Sequence, residues 1–198
     1  MTRLATPLRD GVIVENQIDY FAIIQKYIPP DSLTYRLYVP HVSLVTFKAL
    51  RVARRLGLDK AQRRFIEAAA MLHDIGIVRV HEPRMGCHGD LPYIHHLIEG
   101  RKILEGEGLP RHARVAANHV GMGITKDEIA SQGLDLPHED IFPESIEEEV
   151  ISWADLFFGK NPGSLWHERE VDEVRAHLHK WGERVVETFD IWLQRFGE

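Results

Sequence analysis

Apolar residues recur at helical spacing along almost the whole chain. Ile18, Phe21, Ile24 and Ile28 fall at steps of three and four, the stripe of a short amphipathic helix. Pro29-Pro30 ends it. Asp31-Ser32 caps a second short helix that reaches Val39. Pro40 suits a helical first turn, and a third helix runs from His41 to Leu56 with Val42, Val45, Leu50 and Val52 on its apolar side. Gly57 stops it. Asp59 starts the next helix, which carries Phe65, Ile66, Ala69 and Leu72 into His73-Asp74 and is closed by Gly76.

Residues 77–93 read as a loop with Pro83, Gly86, Gly89 and Pro92. A connection of that length in a compact domain is often functional. Helix resumes near Tyr93 and ends near Gly106 and Gly108; Pro110 opens another, to about Val120. Thr125 with Glu128, and Ser145 with Glu148, are capping-box patterns. Gly133 to Pro143 is a loop between them, and the second box starts a helix through Trp153-Ala154-Asp155 to about Phe158. After a turn at Asn161-Pro162-Gly163, a last long helix places Val174, Leu178, Trp181, Val185, Phe189, Trp192 and Phe196 on one face, a core or dimer contact. No strand alternation and no repeat interrupts this pattern, so the fold class is all-α, one domain.

Composition narrows the function. The chain has 198 residues, 44% apolar and 27% charged, ordinary for one globular domain. Thirty acidic residues against 24 basic ones give a net charge of −6, which argues against duplex nucleic acid as a partner. Cys87 is the single cysteine, so no intrachain disulfide forms, and it is read as structural. Met1 to Asp10 carries charges and no apolar segment. With no signal peptide and no membrane span, the expectation is a cytoplasmic protein.

The 12 histidines are many for this length, and one stands out. His73-Asp74 follows the small apolar run Ala68-Ala69-Ala70-Met71-Leu72. An imidazole and a carboxylate placed there need a partner, because burying them alone is costly. A divalent metal serves both. His41, His96, His119 and Asp155, each in a separate helical segment, are further candidate ligands.

On an all-helical chain, the order His41, His73-Asp74, Asp155 resembles the HD-domain superfamily of metal-dependent phosphohydrolases. Met71-Leu72-His73-Asp74-Ile75-Gly76 is similar to the family's central motif, and Pro40-His41 to the helix that brings its first histidine. His96 with Gly100 four residues later, and Asn118-His119 with Gly121, resemble the subgroup with two extra histidines, which binds two metals. The resemblance implies a helical bundle with an N-terminal helical extension over 1–37, an HD core over 38–160 and a C-terminal helix packed on it over 161–198. It implies His41, His73, Asp74, His96, His119 and Asp155 as metal ligands, Asp74 as the bridge, and Asp74 and His73 as catalytic. His95 stands next to His96, but Gly100 favours His96. The cyclic-dinucleotide members carry a Gly-Tyr-Pro element where this chain has Gly121-Met122-Gly123-Ile124, which points away from them. Arg79 stands near the place of a lysine that many members have.

The implied activity is hydrolysis of a nucleotide or related phosphate ester by a metal-activated water. One or two divalent transition metals per chain (iron, manganese, zinc or nickel) suit this ligand set. Arg79, Arg101 and Lys160 are the expected phosphate-binding residues; His81 and His88 lie in the long loop without a firm role. The same ligands permit a di-iron oxygenase, and a degenerate site would make a non-catalytic nucleotide-sensing module. The partner is a phosphate-containing small molecule; no membrane is implied, and a homodimer is left open.

Overall fold

In the computed structural model, residues 18–197 are described. The absence of a signal read at Met1 to Asp10, and the first part of the 1–37 extension, lie outside them. Within them the architecture is a bundle of α-helices with one two-stranded ribbon. None of these helices is long and apolar enough to cross a membrane.

Helix α1 (Tyr20–Tyr27) begins where Asp19 accepts the backbone N–H of Ala22 at 2.9 Å. Helix α2 (Leu33–Arg55) is capped by Ser32 and runs unbroken through Pro40. Two helices meeting at Pro40 were expected; there is one. Proline removes a backbone bond and crowds the carbonyl four residues earlier. Here Leu37, Tyr38, His41, Val42 and Val45 are all buried on the flanking turns, and that burial outweighs the local cost.

Helix α3 (Lys60–Leu72) starts with a full capping box between Asp59 and Gln62. A 3₁₀ turn over Ile75–Arg79 follows His73-Asp74. Gly76 lies inside that turn, so it does not close α3 as expected. Its role is close approach: a Cβ there would stand 2.0 Å from the His96 carbonyl oxygen and 2.4 Å from the Gly100 nitrogen. The stretch expected to be a plain loop contains the hairpin β1 (His81–Glu82) and β2 (Cys87–His88), with His81 opposite His88. Strands of two residues are too short to leave an alternation in the sequence. Gly86, at φ +73°, allows the left-handed turn between them.

Helices α4 (His96–Gly106) and α5 (Pro110–Asn118) form a pair beside that turn. Helix α6 (Lys126–Gln132) has the expected capping box, Thr125 with Glu128. Helix α7 (Ile146–Asp155) is capped by Ser145, which accepts the Glu148 N–H at 3.3 Å. On either side of α6, Ile124 and Ile141 exchange two backbone bonds of 2.9 Å.

The single long C-terminal helix is instead two, α8 (Val171–Leu178) and α9 (Glu183–Phe196). Gly182 at φ +102° separates them, a conformation no helix interior contains. Val174, Leu178, Val185, Phe189, Trp192 and Phe196 are buried, as the stripe requires. Trp181 leaves that face at the break and is 50% exposed.

Among the described residues two large apolar clusters fill the interior, beside a small third one of Ile124, Ile129 and Ile141. One joins Val45, Ala49, Ile66 and Ala69 to Trp153 and Phe189; the other joins Ile24, Tyr38, Val42, Leu72 and Ile75. Along α2 and α3 the chain passes from one cluster to the other near His41 and His73. The polar residues therefore sit at a seam inside the bundle.

Candidate metal centre

The seam brings all the expected ligands together. His41, from the middle of α2, has its Nε2 3.1 Å from Asp74 Oδ2 and 3.1 Å from Asp155 Oδ1. His73 Nε2 is 3.3 Å from Asp74 Oδ2 and 3.4 Å from Asp155 Oδ1. On the other side, His96 Nε2 is 3.6 Å and His119 Nε2 3.4 Å from Asp74 Oδ1. Two ligand sets result, His41–His73–Asp74–Asp155 and Asp74–His96–His119, with the donor atoms of each set within 4.8 Å of one another. Asp74 belongs to both and presents a different oxygen to each.

Local backbone geometry aims these side chains. Asp74 sits between α3 and the 3₁₀ turn at φ −98°, ψ 7°, a sparsely used region where active-site residues are often found. His73 Nδ1 donates to the Ala70 carbonyl at 2.7 Å, His96 Nδ1 to that of Tyr93 at 2.7 Å, and His119 Nδ1 to that of Ala116 at 2.9 Å. Each is the carbonyl three residues back, at a helix end or in its first turn. The bond puts the ring proton on Nδ1 and turns the Nε2 lone pair inward, the usual arrangement behind a metal-ligating histidine.

The donor set fits a divalent cation. His41 Nε2, His73 Nε2, Asp74 Oδ1 and Asp155 Oδ1 are buried without a hydrogen-bond partner among the described residues. Buried polar atoms at such density require a shared partner. The two carboxylates draw positive charge to the centre. Burial disfavours the imidazolium at His73, yet Asp74 and Asp155 outweigh it and raise the pKa to about 10. Burial favours a neutral Asp74, but Lys160 and the surrounding histidines hold it well below the usual carboxylate range. His96 is lowered to about 4, chiefly by burial. A bound metal would do for the carboxylates what the proton on His73 and the ammonium of Lys160 do without it.

The other expected residues fall differently. Lys160 is at the centre, with its Nζ 2.5 Å from Asp74 Oδ2. Arg101 is turned to solvent and paired with Glu105 at 2.9 Å. Arg79 is exposed at the end of the 3₁₀ turn. Neither arginine lines the cavity over the centre. His95 bonds Asp135 at 2.8 Å, away from the ligands. His81 and His88 are exposed on the hairpin. Cys87 is buried beside Thr34, and burial raises its thiol pKa, which disfavours a thiolate ligand.

A cavity of about 390 Å³ opens on this centre, floored by His96, His119, Asp155 and Lys160. Sequence reasoning reads Glu128 as a helix-capping residue and Trp181 as part of an apolar face and does not mention Arg184, so it assigns none of these far-side residues to the site. Their spacing in the chain carries no signal.

The model of the HD domain family matches residues 38–158, more than half of the chain. The chain belongs to the HD domain family. This HD domain is similar to a tRNA (cytidine(56)-2'-O)-methyltransferase of Picrophilus torridus, 36% identical over 140 residues, covering 66% of the chain and 36% of that protein. It is 29% identical over 187 residues to the protein of the same name in Thermoplasma volcanium, covering 88% of the chain and 48% of that protein. The chain thus spans between about a third and a half of the length of these relatives. Among solved structures, the HD domain of the Listeria monocytogenes phosphodiesterase PgpH superimposes with a TM-score of 0.52 at 14% identity, over 87% of this chain and 94% of that one. That likeness is one of fold.

Proposed function

We propose that this HD domain is a metal-dependent phosphohydrolase that cleaves a nucleotide or related phosphate ester with water. The division of Asp74 carries the reading: one carboxylate oxygen faces His41 and His73, the other His96 and His119. A bridging carboxylate between two imidazole sets is the arrangement of a two-cation phosphoryl site.

The set His41, His73, Asp74 and Asp155 would hold one cation, and Asp74, His96 and His119 a second. Iron, manganese, zinc or nickel suits imidazole and carboxylate donors. When bound, such ions supply Lewis-acid stabilisation of a phosphoryl group and a water acidified toward neutral pH. The chain's own residues do the rest. Asp74 and Asp155 stay ionised, held well below the ordinary carboxylate range by Lys160 and the histidines against the opposing effect of burial. Lys160 keeps its proton, because Asp74, Tyr93 and Asp155 outweigh the effect of burial. It is placed to donate to a phosphoryl oxygen at the mouth of the centre. Apolar walls formed by Met122 and Leu156 limit water around the reacting group.

The PgpH structure has been determined with cyclic-di-AMP, a phosphate-containing small molecule. A small phosphate-bearing substrate also agrees with the net charge of −6, which provides no basic footprint for a long nucleic acid. Methyl transfer belongs to the longer relatives and is not carried over to this chain.

The test is elemental analysis of the purified protein beside a His73→Ala/Asp74→Ala variant, followed by phosphate release from phosphate esters with each metal restored. Metal retained by the parent, lost by a folded variant, and phosphate release that follows the metal support the reading. A parent that binds no divalent metal, or a metal-loaded parent that releases no phosphate from any ester tried, overturns it.

A further inference from the structure

The cavity beyond the metal centre has a chemistry of its own. Its walls are Met122, Ile124, Leu134, Leu156, Leu178 and Val185, drawn from the segments after α5, α6 and α7 and from α8 and α9. Two of the few large exposed aromatics of the described residues line it, Tyr93 at 38% exposure and Trp181 at 50%. An aromatic face left in water at the rim of an apolar cavity is suited to stack on a flat ring.

Charge is scarce along these walls. Glu128 and Arg184 both line the cavity, and they neutralise one another. Arg184 Nε donates to Glu128 Oε1 at 2.9 Å and its Nη2 to Oε2 at 2.8 Å. The same Nη2 donates to the Gly123 carbonyl at 3.0 Å, and the guanidinium lies 5.5 Å from the Phe142 ring. His177 is held below its ordinary pKa by burial and by Lys180 and Arg169, so it is neutral near pH 7. Among the described residues that line the cavity, Lys160, at the metal centre, is therefore the cation offered to a ligand. A second phosphate on the substrate would lose its water here without gaining a partner.

We propose that this site takes a phosphoester with a single phosphoryl group, whose leaving group is an uncharged, flat ring system of nucleoside size. Leu134, Trp181 and the neutralised Arg184–Glu128 pair set that preference. The inference rests on the phosphohydrolase reading and names the substrate class for it. In the reaction a bond forms between water oxygen and phosphorus and the ester P–O bond breaks. A proton passes to the departing oxygen, and inorganic phosphate and a free alcohol leave. The Arg184–Glu128 pair also ties α6 to α9, so the far wall depends on two segments distant in sequence.

Three esters serve as probes on the metal-loaded full chain: ribose 5-phosphate, adenosine 5'-monophosphate and adenosine 5'-diphosphate. The monophosphate is expected to exceed each of the others in kcat/KM by about tenfold or more. Leu134→Trp fills the cavity from a half-buried wall position. It is expected to remove the preference for adenosine 5'-monophosphate over ribose 5-phosphate. Glu128→Gln keeps the helix cap, since Gln62 fills the same position at α3, and frees the Arg184 charge. The diphosphate should gain on the monophosphate in that variant. Equal kcat/KM for the three esters in the parent overturns the inference. Binding of adenosine alone, measured by calorimetry without metal, separates the two readings. Adenosine bound by the parent but not by Leu134→Trp supports the cavity assignment even when no ester is hydrolysed, a result that strikes only the phosphohydrolase reading. No adenosine binding to the parent overturns the cavity assignment.

Discussion

Lys160 Nζ lies 2.5 Å from Asp74 Oδ2, and Asp74 is wholly withdrawn from solvent. The ammonium stands at the mouth of a centre built from two carboxylates and four imidazoles. Its charge stabilises Asp74, and in the proposed phosphohydrolase it faces the substrate once a cation is bound.

Lys160→Met is therefore expected to lower phosphate release by about 10²–10³-fold, the scale for removing one preorganised donor. Metal content should stay at the parent level or rise, because a competing cation is gone. Elemental analysis beside steady-state kinetics checks both. Metal lost together with activity would instead make Lys160 a support for the ligands.

The split of Asp74 between two ligand sets predicts a split in metal loss. His96→Ala and His119→Ala should each lose about half of the bound metal and keep the rest. Asp74→Asn should lose nearly all of it. Metal-to-protein ratios of the dialysed variants decide this. Equal loss in all of them would mean one shared cation.

Gly76 and Gly100 let the 3₁₀ turn rest on the start of α4, where His96 is presented. At Gly76 a Cβ would stand 2.0 Å from the His96 carbonyl oxygen, with no room to yield. Gly76→Ala is expected to destabilise the fold by roughly 3 kcal/mol or more, as overpacking against backbone does. Gly106→Ala, at the end of the same helix with nothing within 4 Å, should be neutral or stabilising by up to about 1 kcal/mol. Thermal melts of the two variants form the comparison.

His112 is buried against Phe65, with ring centroids 4.9 Å apart, and burial together with Arg111 lowers its pKa to about 4. The unfolded chain, near the ordinary 6.5, takes up the proton first as pH falls. The stability contributed by the neutral ring is complete above about pH 6.5 and is lost as pH falls toward 4, by about 3 kcal/mol at most. The stability difference between the parent and His112→Gln, followed by chemical denaturation from pH 7 to 4, should shrink over that window. A constant difference would remove His112 as the cause.

Much of the bundle is legible in the residue pattern. Capping residues Ser32, Asp59, Thr125 and Ser145 mark helix starts because they satisfy N–H groups within one turn, a purely local requirement. His73-Asp74 is legible as a candidate metal pair because an imidazole and a carboxylate behind Ala68-Ala69-Ala70 are costly to bury without a shared partner. Pro40 and the C-terminal break mislead for opposite reasons. At Pro40 a local penalty is overruled by burial on both flanking turns. At Gly182 a continuous apolar stripe conceals a backbone turn that keeps the stripe buried on both sides while sending Trp181 outward.

By itself, the sequence determined the helical class and the starts of several helices, since these follow from spacing along one segment, and its resemblance to the HD domain family named the candidate ligands. The tertiary structure alone decided which oxygen of Asp74 faces which histidines, that Lys160 and neither arginine reaches the centre, and that Arg184 is neutralised by Glu128. Those relations join residues tens of positions apart. Their energies depend on distance and exclusion of water, which exist only once the helices have packed.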